Sequence, residues 1–253
     1  MLQIENIYVF LLLLPIVAFL YASVGHGGAS GYLALMALFS FAPETMKPTA
    51  LLLNLFVAGI AFYHYYKAGH FSMKLFLPFA ITSIPLAFLG GMIEIDAHIY
   101  KRILAVLLIF AVLKMLNVFG PALPAGRKEA TFIKDLKLWQ GLVIGGFIGF
   151  FSGLIGIGGG IILTPIILLL HWGNMKEAAA VSALFIWVNS ASGLVGQLTT
   201  GVTLSYETAI LVAIALVGGF FGSYYGSNKF NNQRLRYLLA FVLSIASVKL
   251  MFT

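Results

Sequence analysis

An all-α polytopic membrane protein made of two related halves is the fold this sequence predicts, and three observations predict it. The chain of 253 residues is 61% hydrophobic and only 9% charged, with a mean hydropathy of +1.01. A soluble domain carries roughly a quarter charged residues. The apolar residues fall in runs, most of them near the ~20 residues that cross a bilayer. Two runs, 7–39 and 138–170, are longer than that and contain no Asp, Glu, Lys or Arg. Each is interrupted by a glycine cluster, Gly25-His26-Gly27-Gly28 in one and Gly156-Ile157-Gly158-Gly159-Gly160 in the other.

In chain order, the apolar runs cover roughly 7–39, 49–66, 75–93 and 103–119, then 138–170, 178–198, 208–227 and 237–252. No Lys or Arg precedes the first run, and Glu5 does, so a retained span is expected there rather than a cleaved signal peptide. A polar stretch with Pro121, Pro124, Gly126 and several charges separates the halves. The organisation read from this is a first transmembrane repeat over 1–120, a linker over 121–137 and a second repeat over 138–253. Val24-Gly25-His26-Gly27-Gly28 aligns, position for position, with Ile155-Gly156-Ile157-Gly158-Gly159. Met46-Lys47 aligns with Met175-Lys176. Val112-Leu113-Lys114-Met115-Leu116 aligns with Ser247-Val248-Lys249-Leu250-Met251.

Loop charge chooses between parallel and inverted repeats. If each long run crosses once, the 15 Lys and Arg divide eight against seven. If each long run enters and returns on one side, they divide eleven against four, with Lys47, Lys101, Arg102 and Lys249 in the minority. Cytoplasmic loops carry the excess of Lys and Arg, so the second arrangement is expected. It makes each long run a re-entrant, broken-helix hairpin followed by three transmembrane helices. The repeats are then inverted, the linker is cytoplasmic and both termini lie outside. A helix rises only about 1.5 Å per residue, so each long run is too short for two full crossings and suits two short helices.

Several function classes recede. Cysteine is absent, which removes disulfide and thiolate chemistry. The five histidines show no paired ligand spacing, so neither a metal nor a cofactor is expected. The net charge of +7 sits in loops between apolar runs, where membrane orientation explains it without nucleic acid. The partners expected are the lipid bilayer and a small anionic substrate.

The anion follows from the breaks. A broken transmembrane helix exposes backbone groups, and this is tolerated where protein or a water-filled cavity covers them. Paired breaks in the two halves point to a binding site. A helix N-terminus offers unsatisfied N–H donors and roughly half a positive charge. Two of them, starting near Ala29 and Ile161, suit an anion without a buried Lys or Arg. The candidate substrate-binding residues are therefore Gly25, His26, Gly27, Gly28, Ser30, Gly156, Gly158, Gly159 and Gly160. Asn54 and Asn189 join them, because a polar amide inside a span faces the protein interior. Ser23, Ser152, Thr164, Ser182 and Ser192 lie near enough to contribute. His26 is the only ionisable side chain deep within either long run; a proton switch, a neutral donor and packing remain open readings of it. Gly90, Gly91, Gly141, Gly145, Gly146, Gly218 and Gly219 suit close helix packing instead.

Gly25-His26-Gly27-Gly28 through Leu33, together with Gly153-Leu154-Ile155-Gly156-Ile157-Gly158-Gly159-Gly160 through Pro165, resembles the sulfite exporter TauE/SafE family of bacterial transporters. The resemblance covers essentially the whole chain, although His26 stands where a small or apolar residue is usual. It implies a multi-pass protein of the bacterial inner membrane that exports a sulfur-containing anion such as sulfite or an organosulfonate. Two rivals remain. A passive anion channel would use the same site. An intramembrane serine protease would use Gly28-Ala29-Ser30-Gly31, yet the second glycine cluster has no matching serine and no histidine lies within 178–252.

Overall fold

The computed structural model describes residues 7–115 and 135–228, with 244, 247–249 and 251 near the C-terminus. Among the described residues every regular element is an α-helix. Most of the expected span at 237–252 and most of the expected linker at 121–137 lie outside them.

The first long run is two helices, α1 (Ile7–Ala22) and α2 (Ala29–Leu38), and the second is α6 (Leu138–Ile155) and α7 (Gly160–Leu169). Between them come α3 (Pro43–Lys67), α4 (Met73–Met92) and α5 (Ala97–Met115); α8 (Met175–Thr199) and α9 (Tyr206–Asn228) follow. The chain doubles back at the first break. Ser30 Oγ donates to Tyr21 Oη at 2.9 Å, and the Phe10 ring lies 5.5 Å from Phe39 and 5.0 Å from Phe41. α2 and α7 have 10 residues each, about 15 Å of helix, half of a hydrocarbon core ~30 Å thick. Five other helices, α3, α4, α6, α8 and α9, are long and apolar enough to cross a membrane.

Among the described residues, α1, α2, α3 and α4 follow one another as α6, α7, α8 and α9 do. α3 and α8 are both 25 residues long, so a position in α3 corresponds to the one 132 further along in α8. This corrects one expectation from the sequence. Met175 opens α8, whereas Met46 is the fourth residue of α3, so the two Met-Lys pairs are a turn out of register. α3 also starts earlier than its apolar run. Pro43 occupies the first turn, where a missing N–H costs nothing. α8 starts on a capping box, with Asn174 Oδ1 accepting from Lys176 N and Glu177 N, and Asn174 N donating to Glu177.

Two close parallel helix pairs frame the bundle, and glycine makes both possible. Along α6, Gly145, Gly149 and Gly153 face the carbonyls of Phe79, Ser83 and Ala87 on α4. Along α9, Gly218, Gly222 and Gly226 face the carbonyls of Pro15, Phe19 and Ser23 on and just beyond α1. Small residues at such spacing let backbones touch where lipid offers no hydrophobic drive. Polar side chains add to the seams, as Thr82 Oγ1 donates to Leu142 O and Ser192 Oγ to Ile84 O, both at 2.6 Å. Between these pairs α3 and α8 cross antiparallel. Asn54 meets Ser190, and Gly59 further along α3 meets Trp187 further back on α8.

Candidate functional site

The two breaks come together at the crossing of α3 and α8. Gly27 has no room for a Cβ, which would stand 2.6 Å from Asn54 Oδ1 and 2.9 Å from Ile186 Cγ2. Gly158 adopts a left-handed backbone (φ 78) that side chains disfavour, and its Cβ position is filled by Asn54 Nδ2 and by Ile186 Cγ2 at 2.8 Å. Asn54 and Ile186 occupy the same place in α3 and α8, the twelfth position of each helix. The neighbours exchange in the same way. Gly27 also touches Ala58, and Gly158 touches Ser190, its counterpart. Gly25 packs on Ala179, and Gly156 on Lys47, its counterpart.

Asn54 is fully buried. Its Nδ2 donates to Ile157 O at 3.4 Å and to Ser190 Oγ at 3.3 Å, while Oδ1 has no partner. One amide thus ties the second break to α8 and turns an unsatisfied oxygen toward the first. A buried polar atom left without a partner costs about 1–3 kcal/mol. On the other side of the breaks, His26 Nδ1 is 3.0 Å from Val24 O and Nε2 is 3.3 Å from Thr164 Oγ1. Thr164 Oγ1 in turn donates to Ser182 Oγ at 2.7 Å. His26 therefore bridges the first break to α7 and α8.

Both short helices begin without a side-chain cap, α2 after Gly28 and α7 after Gly159. Their first-turn N–H groups start at the breaks, as the sequence led one to expect. The other candidates have contacts of their own. The Ser30 hydroxyl is given to Tyr21 on α1 rather than to a histidine. Asn189 is buried in α8 and donates to Phe185 O of its own helix at 2.7 Å, its Oδ1 unpartnered. Gly28 closes on the Tyr32 ring and Gly160 on Ile186. Sequence reasoning missed Ile186 and Ser190; the repeat alignment finds both once α3 and α8 are set in register by their ends.

The ends of the crossing differ. At one, Tyr65 donates to Ser23 O at 3.2 Å and packs with Ala179, Ala180 and Phe71. At the other, the counterpart of Tyr65 is Gln197, buried, with neither amide atom partnered.

The family model for the sulfite exporter TauE/SafE matches residues 10–250. The chain belongs to that family. This TauE/SafE protein is 37% identical over 240 residues to the "Probable membrane transporter protein y4hK" of Sinorhizobium fredii, covering 93% of this chain and 94% of the relative. It is 27% identical over 263 residues to a "Probable membrane transporter protein" of Methanocaldococcus jannaschii, again covering 93% and 94%. A Bacillus subtilis relative, "Probable membrane transporter protein YunE", is 31% identical over 116 residues, 44% of this chain and 41% of the relative. No solved structure matches the chain significantly. It is a multi-pass membrane protein of a transporter family, and the glycine breaks fall inside the matched region.

Substitution at Asn54 separates a ligand contact from structural glue. Asn54→Leu removes both Nδ2 bonds, whereas Asn54→Asp keeps the shape and turns a negative charge on the breaks. In a site for anions, Asn54→Asp at neutral pH should weaken binding at least tenfold more than Asn54→Leu, at about tenfold per 1.4 kcal/mol. Anion titration of both purified variants, each checked for a monodisperse profile, gives the answer. Equal losses would make the amide glue alone.

Proposed function

We propose that this chain is a carrier of the bacterial inner membrane that exports a small sulfur-containing anion, sulfite or an organosulfonate. It works by alternating access around the two glycine breaks. The observation that carries the reading is that Gly27 and Gly158 meet across one buried amide, Asn54. Two uncapped helix N-termini beside them supply donors and about one positive charge in total. Neither long run brings a Lys, Arg, Asp or Glu to that place. An anion is held by backbone and small polar groups and can leave again. The orphaned Asn54 Oδ1 suits an oxyanion that keeps one O–H. Expelling one negative charge from a cell that is negative inside releases about 2.3 kcal/mol per 100 mV, so export needs no coupled ion.

Inverted repeats support the alternation. α3 and α8 are counterparts and run antiparallel where they cross, as an inverted pair does and a parallel pair does not. The parallel pairing of α1 with α9 and of α6 with α4 agrees with the same arrangement. Because the chain has no cysteine, one introduced at Lys128 is a unique label. It should react with an impermeant thiol reagent only from the cytoplasmic face. Reaction only from outside would refute the topology.

The function is tested by reconstitution. Liposomes holding the purified chain should take up labelled sulfite or an alkanesulfonate with saturation, and should show counterflow when preloaded. Large unitary currents would indicate a channel. Absence of flux for sulfite, thiosulfate and sulfonates together would reject the substrate class.

A further inference from the structure

A crevice of about 250 Å³ opens at the end of the bundle where α3 begins and where α4 and α8 finish. It adjoins a wider basin of about 880 Å³ that shares Glu44, Pro48 and Val202. Its floor rests on the second break. Tyr100 lines it and donates to Ile155 O at 3.1 Å, and Lys47, also in the lining, packs on Gly156. Two groups in its wall have unused donors. Lys47 Nζ gives hydrogen bonds to Gly91 O at 3.2 Å and to Ile93 O at 3.3 Å, and an ammonium has a third to give. Gln197 is 2% exposed, lines the crevice, and has no partner at Nε2 or Oε1. A buried amide with both ends unmet is an unusual cost for a helix that could hold Leu there. The lining carboxylates, Glu44 and Glu94, are exposed at the rim and solvated.

We infer that this crevice is an anion-binding vestibule, in which Lys47 Nζ supplies the charge and the Gln197 amide the hydrogen bonds that hold a small oxyanion beside the second glycine break. The inference rests on reading the chain as an anion carrier and deepens it by naming a second, cationic stop on the way to the uncharged meeting point of the breaks. Division of labour explains the chemistry. A lysine at the mouth raises the local concentration of anions, whereas a lysine at the breaks would hold them. Glu94 acts against this attraction, since its charge faces Lys47, and so it sets how strongly anions gather. The two donors differ from their counterparts in the other repeat. The counterpart of Lys47 is Ala179, and the counterpart of Gln197 is Tyr65, whose hydroxyl is already bound to Ser23.

The test needs no transport measurement. Val202 lines the crevice, and in a chain without cysteine Val202→Cys carries the only thiol. In membrane vesicles of both orientations, this thiol should react with charged methanethiosulfonate reagents from one face only. The sulfonate-bearing reagent should outpace the trimethylammonium-bearing one, and methanesulfonate should protect. Lys47→Gln should lower the anionic-to-cationic rate ratio at least about fivefold, while Lys47→Arg keeps it and Glu94→Gln raises it. Gln197→Leu should leave the ratio but abolish protection. Reaction from neither face or from both overturns the inference. So does a ratio unmoved by Lys47→Gln, or protection that survives Gln197→Leu. Because no flux is read, a failure of the export reading leaves these outcomes as they stand.

Discussion

Replacing Gly158 with Leu, or Gly27 with Val, should reduce anion flux at least about tenfold while the purified protein stays monodisperse. The side chains would enter space already held by Asn54 and Ile186. Gly158 adds a left-handed backbone that a leucine strains. Overfilling a packed site costs about 1–3 kcal/mol, which is about tenfold or more if it falls on the bound state alone. Gly69→Ala is the matched control. Gly69 has a similar left-handed backbone (φ 77), but nothing lies within 4 Å of its Cβ position. It carries backbone strain without the clash, so its flux should be near that of the unaltered chain. Normal flux in both Gly27→Val and Gly158→Leu would remove the breaks from the transport pathway.

Glycines in the seams should behave in the opposite way, losing the fold before the function. Gly149→Leu sets a bulky side chain against the Ser83 backbone on α4, and Gly222→Leu does the same against Phe19 on α1. The obstacle is a carbonyl inside a helix, which cannot rotate aside as a side chain can. The helix pair must separate, losing its close backbone contact and the nearby bonds such as Thr82 to Leu142. A destabilisation of about 3 kcal/mol or more is expected, at the upper end for overpacking. The readout is loss of the monodisperse peak in detergent and a lower unfolding temperature, compared with Gly146→Ala. At Gly146 the nearest atom is the end of a flexible Leu86 side chain, at 2.9 Å. If Gly149→Leu and Gly222→Leu were as stable as the unaltered chain, the seams would not rest on glycine.

Sequence separates the break clusters from only some of the seam glycines: Gly145 and Gly218 are assigned to packing, whereas Gly149, Gly153, Gly222 and Gly226 are not. The break clusters sit together inside runs too long to be one span and too short to be two. The seam glycines recur about one helical turn apart, yet Gly145, Gly149 and Gly153 share the long run 138–170 with the second cluster, and Gly153 is three residues before Gly156. The helix pairs in each half were legible, since apolar length and glycine position are set by the bilayer. The faces of α3 and α8 were not. Helices that are apolar all round show no stripe, so Ile186 gave no sign of meeting Gly27 and Gly158. Asn54 and Asn189 both stood out as amides inside spans; Asn54 bonds Ile157 O in the second break, and Asn189 bonds Phe185 O of its own helix. In the sequence Lys47 counts as one of the loop charges and Gln197 is not singled out. Only the packing of Lys47 on Gly156, and of Gln197 in a crevice, sets them apart.

The unlike ends of the α3–α8 crossing bear on energetics as well as geometry. Tyr65 has its partner in Ser23, while Gln197 has none. In a carrier, exchanging the open and closed faces would break the first bond and give the Gln197 amide a chance to find one. The two resting states of such a carrier are therefore unequal in free energy, by an amount on the order of 1–3 kcal/mol. An imbalance of that size skews how readily each face loads, so half-saturation should differ between the two directions of flux. It does not choose the direction of net movement, which only the gradients do. Kinetic asymmetry without rectification is what duplication followed by divergence at positions such as 65 and 197 would leave behind.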